Sequence, residues 1–290
     1  MSLKQLAGEI GRNAYYYASL PWRTSKFREL VAREQVPLCA LFYHRIADSH
    51  PNGWTMSHAQ FQRQVDWMQQ NVDLVSMEEI QRRKASGKNE RVAVNITFDD
   101  GYAENCERAL PMLIERGIPC TYFVSLDFIL TQRPFPHDVE AGVPLQPNTI
   151  EQLRDLADAG IEIGAHTRNH PNIGAITDFE ALHDEIVNAT RELADLIDRP
   201  IRYFAYPFGK PENMSQAATD MARESGLEAV CSAYGAYNLP GEDPFHIQRI
   251  HGDPEFSRFR NWLTIDPRKL GIGRDFKFRQ IEISQPACIG

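Results

Sequence analysis

Two carboxylates, Asp99 and Asp100, stand side by side at the end of an apolar run, Val92-Ala93-Val94-Asn95-Ile96-Thr97-Phe98, and are followed by Gly101. Adjacent acids repel each other, and the pairing becomes favourable when one binds a cation and the other stays free to accept a proton. A second run, Ile161-Glu162-Ile163-Gly164-Ala165, ends in His166 and His170. Four-residue spacing lets both imidazoles face one metal if the segment takes a helical turn. Each signal alone has a plainer reading: a turn in which Asp99 or Asp100 caps a helix starting near Ala103, and two surface histidines. Together they make a His2Asp set with positions left open for water and substrate. Such a set suits one divalent ion, with Zn2+ the default and Co2+, Ni2+, Mn2+ or Fe2+ also compatible.

Residues at strand ends need a sheet to position them. Strand candidates are 38–43, 72–75, 92–98, 120–124, 161–164, 202–206, 228–232 and 246–250. Apolar residues at three- and four-residue spacing predict helices over 57–70, 76–86, 103–116, 149–159, 178–198 and 215–225. Ser57, Ser76 and Thr149 are suited to cap helix starts, and Gly117, Gly160 and Gly226 to close helix ends. Alternating strands and helices predict an α/β protein with a parallel sheet or barrel, whose C-terminal strand ends are where sites are assembled. One long irregular stretch, 127–148, contains four prolines and is suited to wall a substrate groove. No linker divides the chain. A single domain is expected, with an N-terminal helical extension over 1–36, a catalytic barrel over 37–270 and a tail over 271–290.

Thirty-nine acidic against 31 basic residues give a net charge of -8, and no long basic run offers a path for a phosphate backbone, so nucleic acid is excluded as a partner. Five cysteines (Cys39, Cys106, Cys120, Cys231, Cys288) form no CxxC pair and imply neither a disulfide framework nor a thiolate zinc site. No segment approaches the roughly 20 apolar residues of a membrane-spanning helix. Glu9, Arg12 and Asn13 interrupt the N-terminus where a secretory segment is continuously apolar, so the start reads as uncleaved. Leu3, Leu6, Ile10 and Ala14 fall on one side of a helix there, and Tyr15 to Tyr17 suit a membrane interface. Either packing on the domain or peripheral membrane contact fits this pattern, and packing on the domain is the expectation.

The sequence resembles the polysaccharide deacetylases of the NodB-homology type, also called carbohydrate esterase family four. Thr97-Phe98-Asp99-Asp100-Gly101 matches the first motif of that family, His166-Thr167-Arg168-Asn169-His170 the second, and Phe204-Ala205-Tyr206-Pro207-Phe208-Gly209 one form of the third. The resemblance runs from about Leu38 to about Ile250. It implies a distorted (β/α) barrel, Asp100, His166 and His170 on the metal, Asp99 as general base, and the backbone amide of Phe208 on the oxyanion. Tyr206 and Phe208 could wall the acetyl methyl or a sugar face, or be core.

The chain departs from the family at three places. The arginine of the third motif, which orients the catalytic Asp, is replaced by Ala205; Arg249 and Arg45 are the candidates to take its role, with Arg249 preferred. The acidic fourth motif has no match between Gly226 and Pro244. The histidine of the fifth motif, which protonates the leaving amine, matches His251 loosely, and His44 in Tyr43-His44-Arg45 competes for that role. Histidines 50, 58, 137, 183 and 246 have no partner pattern and read as surface or packing residues.

The expectation is a metal-dependent hydrolase removing N-acetyl groups from amino sugars of a polysaccharide or glycan precursor. The alternatives are a hydrolase of another C–N amide bond on the same fold and a catalytically inactive carbohydrate-binding relative. The expected location is the cytoplasm or the inner face of a membrane.

Overall fold

The computed structural model describes residues 3–284. Its strands are β1 (Leu38–Tyr43), β2 (Arg45–Ile46), β3 (Thr55–Met56), β4 (Asp73–Leu74), β5 (Ala93–Phe98), β6 (Cys120–Val124), β7 (Glu162–Ala165), β8 (Tyr203–Ala205), β9 (Ala229–Cys231), β10 (His246–Ile247) and β11 (Arg249–His251). Every residue of β1, β5 and β6 is buried, which is why they read as continuous apolar runs rather than alternating ones. All the pairings are parallel, in the order β10-β9-β8-β7-β6-β5-β1-β11, with β4 beside the first half of β5 and a separate β2-β3 pair. This is a nearly closed, eight-stranded parallel barrel with helices outside it, a distorted (β/α) barrel in one domain.

The barrel is brought near closure by a split that the sequence pattern does not announce. The run expected as one strand over 246–250 divides at Gln248: β10 pairs with β9, and β11 pairs with β1. At the seam the side chain of Asn238 takes the part of a missing neighbour. Its Oδ1 accepts from Gln248 N at 2.8 Å and its Nδ2 donates to Gln248 O at 2.8 Å. Buried Lys84 braces the same corner by donating to Asn238 Oδ1 and His246 O. Burial lowers its ammonium to about 8.

Ser57 and Thr149 form capping boxes, and Ser76 and Ser215 cap their helices. The helix expected over 103–116 is instead a 3-10 turn, Ala103–Cys106, followed by a helix, Ala109–Glu115. Asn105 accounts for the break: its Oδ1 accepts from Ile46 N and its Nδ2 donates to His44 O, so the first turn is drawn onto the barrel wall. The helix expected over 178–198 forms, but with a π turn at Asp184–Asn188. The stretch over 127–148 is less irregular than expected. It folds into two short helices, Leu126–Thr131 and Pro136–Glu140, around a small core of Tyr102, Phe128, Phe135 and Leu145.

The N-terminal helix, Leu3–Ala32, packs on the barrel through its polar and aromatic face. Arg12 pairs with Glu255, Tyr15 OH donates to Asp266, and buried Arg23 donates to Ser19, Asn261 and Thr264. Leu6, Ile10 and Ala14 therefore point outward; the side chain of Leu3 lies outside the described residues. Cys39, Cys120 and Cys231 are buried free thiols and Cys106 is a half-buried one, while Cys288 lies outside the described residues.

Gly164, one residue before Ala165 at the end of β7, leaves no room for a side chain: a Cβ there would stand 2.4 Å from the Phe123 ring and 3.2 Å from Tyr203 O. Overpacking of this kind costs about 1–3 kcal/mol. We expect Gly164→Ala to lose stability by that amount, read as a lower urea midpoint, and an unchanged midpoint would show that β6 and β8 yield freely.

Candidate active site at the barrel mouth

Asp99 and Asp100 leave β5 at its C-terminal end, and His166 and His170 leave β7 at the same end of the barrel. One ligand atom from each of Asp100, His166 and His170 lies within 4.8 Å of the other two. Asp100 Oδ1 is 3.6 Å from His166 Nε2 and 3.3 Å from His170 Nε2. The two imidazoles meet without a helical turn over 166–170. Thr167 and His170 adopt φ values of 68° and 58°, and the turn is tied by a bond from His170 N to Thr167 Oγ1 at 2.9 Å.

Asp100 (φ 75°) and Phe208 (φ 62°) share that left-handed conformation, so four of the nine non-glycine residues with positive φ among the described residues lie here. A β-branched threonine in this region is a genuine outlier. Strain of this kind, about 1–3 kcal/mol per residue, persists only where neighbours over-determine it. Here Ser125 Oγ, Leu126 N and Asp127 N hold the carbonyls of His166, Thr167 and Arg168. From the other side Glu185, in the π turn, accepts from the backbone amides of Arg168 and Asn169 at 2.9 Å each.

His166 is locked by its second nitrogen. Its Nδ1 donates to Ala205 O at 2.7 Å, which leaves an Nε2 lone pair facing Asp100. Burial pushes His166 down to about 4, so it is a neutral imidazole near pH 7. Burial opposes charge on His170 too, but the nearby Asp100 carboxylate raises it above its usual value. Burial disfavours the Asp100 carboxylate, yet His170 and the other imidazoles hold it far below the usual range. Asp100 Oδ1 is buried without a hydrogen-bond partner among the described residues. Such an orphaned anionic oxygen between two imidazole nitrogens fits a divalent cation, which would compete with the His170 proton for the same lone pair.

Asp99 is oriented by Arg249. Nη1 and Nη2 donate to Asp99 Oδ1 and Oδ2 at 2.6 and 2.9 Å, while Nη1 also reaches Thr97 Oγ1 and Nε donates to Ser232 O. Burial would raise the carboxyl, and Arg249, then His166, hold it below its ordinary value. Arg45 does not approach Asp99: it pairs with Glu104 and ties down Ser49, His50 and Thr55.

A cavity of about 150 Å³ opens onto these groups, and Phe42, His44, Trp54, Tyr206, Phe208 and Lys210 are among its walls. His44 packs against Trp54 with ring centres 4.7 Å apart and the rings tilted by 47°. His251 lies outside this cavity, in an adjacent cleft that His44 and Trp54 also line, and burial lowers its pKa. Tyr206 contributes only its ring, since its hydroxyl bonds Thr219. The ring of Phe208 is 56% exposed and 5.1 Å from that of His170. Its backbone N–H has no hydrogen-bond acceptor among the described residues. His137 is exposed, as the sequence reading has it, and also lines the cavity, meeting Tyr102 OH at 2.9 Å. Trp54 and Lys210 were not foreseen; the tight Asn52-Gly53-Trp54 turn was the available signal for the former.

A family model described as polysaccharide deacetylase matches residues 86–230. The Bacillus subtilis (strain 168) protein YxkH, assigned to the polysaccharide deacetylases, is 25% identical over 194 residues, covering 64% of this chain and 62% of that protein. The chitooligosaccharide deacetylase of a Bradyrhizobium species (strain ANU 289) is 26% identical over 140 residues, 48% of this chain and 54% of the relative. The chain thus spans less than two thirds of the length of both relatives. Among solved structures, IcaB from Ammonifex degensii superposes with a TM-score of 0.64 at 23% identity, over 79% of this chain and 97% of that one. Streptococcus pyogenes deacetylase PplD, in complex with acetate, gives 0.66 at 18% identity, over 80% and 99%. At these identities the structures establish a common fold.

Breaking a buried ion pair costs about 3–5 kcal/mol because the remaining charge is stranded. We expect Arg249→Met to lose this much stability at pH 7. In the native pair the Asp99 carboxyl lies below its unfolded value of about 3.9, so the stabilisation is complete above that pH and is lost as pH falls through the folded value. In the variant the carboxyl is raised instead, and the deficit should shrink between pH 7 and pH 4. A deficit independent of pH would assign the loss to packing.

Proposed function

The chain belongs to the polysaccharide deacetylase family, and from that premise we propose that it removes N-acetyl groups from amino sugars of a glycan, with Asp99 as general base and His44 as general acid. The observation that carries this reading is the partnerless Asp100 Oδ1 between two imidazole nitrogens, beside a second carboxylate clamped by an arginine. Asp100, His166 and His170 would hold a divalent cation, Zn2+ by default. When bound, such an ion supplies Lewis-acid polarisation of the acyl carbonyl and of the attacking water.

The remaining work falls to the chain itself. Asp99, kept ionised by Arg249, accepts the proton of the attacking water; each clamped oxygen retains a lone pair for it. The free N–H of Phe208 is suited to hold the oxyanion of the tetrahedral intermediate, held at the loop's strained backbone so that it need not reorient during the reaction. His44 faces the cavity and can protonate the leaving amine. His251, displaced into the neighbouring cleft and driven towards the neutral form by burial, is less suited to donate. Trp54, Tyr206 and Phe208 offer apolar faces for the sugar ring and the acetyl methyl.

Removing the base should separate binding from turnover. Asp99→Asn is expected to bind Zn2+ stoichiometrically by calorimetry yet lose acetate release from N-acetylated oligosaccharides by about 10²–10⁴-fold, whereas His166→Ala should lose both. Near-normal turnover in the first, or unchanged metal binding in the second, overturns the respective role.

The acid is distinguished by paired variants. His44→Ala should depress kcat on an N-acetyl substrate by about 10²-fold or more, far less on an acetyl ester with a good leaving group, and His251→Ala should stay within a few-fold of wild type on both. The reverse pattern would transfer the proton-donating role to His251.

A further inference from the structure

We propose that the N-terminal helix, Leu3–Ala32, docks the protein onto a lipid bilayer surface through an apolar stripe that faces away from the barrel. Over 6–22 the helix is amphipathic in the opposite sense to a packed surface helix, whereas Phe27, Leu30 and Val31 near its end pack on the barrel core. Its inward face is held largely by polar anchors, Arg12 on Glu255, Tyr15 on Asp266 and Arg23 on Asn261. Leu6, Ile10, Tyr17 and Trp22 are 44%, 61%, 60% and 50% exposed. They account for four of the nine exposed large hydrophobic side chains among the described residues, so the exposure is concentrated rather than scattered. Ala7, Gly11, Ala14, Ala18 and Pro21 complete that face, and no exposed position between Leu6 and Trp22 carries a charge.

Three features favour a bilayer over a second protein chain. The stripe grades from aliphatic residues at Leu6 and Ile10 to Tyr17 and Trp22, whose rings, apolar with one polar atom, suit the headgroup level. Its area is small: four partly exposed side chains present of the order of a few hundred Å², against about 800 Å² per partner in a stable protein interface. The stripe also begins at the end of the barrel that carries other exposed apolar groups. Arg12 meets Glu255 four residues beyond β11, so the N-terminal turns of the helix lie at the same end of the barrel as the mouth, where Trp54 and Phe208 are also exposed. Docking by this helix would hold the mouth beside the headgroups, where a lipid-anchored glycan could be reached. That consequence rests on the deacetylase reading; the docking itself does not.

The test uses the full chain and sedimentation with vesicles of phosphatidylcholine and phosphatidylglycerol, which needs no turnover. Wild type is expected to partition onto vesicles, and the double variant Ile10→Ser, Tyr17→Ser at least tenfold less, with its thermal midpoint and its kcat on a soluble substrate unchanged. Absence of wild-type sedimentation, or equal partition of the variant, overturns the proposal. So does a lipid-independent dimer, seen by analytical ultracentrifugation, that the double variant dissociates, because that result assigns the stripe to a second copy of the chain. Vesicle binding without deacetylase activity would leave the docking standing and remove the catalytic reading.

Discussion

The ion pair between Asp99 and Arg249 ties the site to the closure of the barrel. Both groups are almost without solvent, and a buried charge is tolerated only when its partner and its remaining hydrogen bonds are supplied. Arg249 meets these demands with Asp99, Thr97 Oγ1 and Ser232 O, while its guanidinium also lies 5.3 and 5.2 Å from the ring centres of Phe42 and Phe123. Asp99 follows β5 and Arg249 begins β11, and β1 lies between those strands. The pair therefore forms only when β11 has found its register on β1, and that register exists because the chain breaks at Gln248 and Asn238 fills the seam. The orientation of the carboxylate is a consequence of how the sheet curls.

The loops at the mouth show a complementary constraint. The strained turn over 166–170 cannot hold itself and is fixed from outside, by Ser125 to Asp127 on one flank and by Glu185 on the other. Placing Glu185 in a π turn re-aims a side chain that a regular helix would send elsewhere, a common use of such bulges. Stability is thus spent at the mouth and recovered in the fully buried strands below it.

Much of this was legible because it depends on local pattern. A strand buried on both faces has to be apolar, so the runs at 38–43, 93–98 and 120–124 could be found, and charged residues at the ends of such runs stand out against them. What depended on distant contacts could not be read. Arg45 and Arg249 both adjoin strand ends, and only Glu104, 59 residues from Arg45, decides which guanidinium is free for Asp99. His44 follows β1 and His251 ends the neighbouring β11; both pack on Trp54, and only the folded arrangement shows that His44 alone also faces the cavity. That the exposed His137 faces the cavity could not be read for a related reason, because a prolyl segment gives no period from which to infer which way its side chains point. The N-terminal helix packs on the barrel as expected, but its periodicity revealed an apolar face without any information on whether that face turns in or out.

The alanine at position 205 illustrates how little the loss of one motif residue says about a barrel mouth. Ala205 ends β8, and its carbonyl still serves the site by fixing the His166 tautomer. The cation expected from that strand arrives instead from β11, reaching the same carboxylate through the barrel interior. Parallel strands converge on one small volume at their C-terminal ends, so any of several strands can deliver a given group to it. What the chemistry constrains is the position of the guanidinium beside Asp99, and the strand that supplies it is free to vary. An intact, doubly hydrogen-bonded Arg249–Asp99 pair therefore weighs more in favour of a working site than the alanine weighs against it.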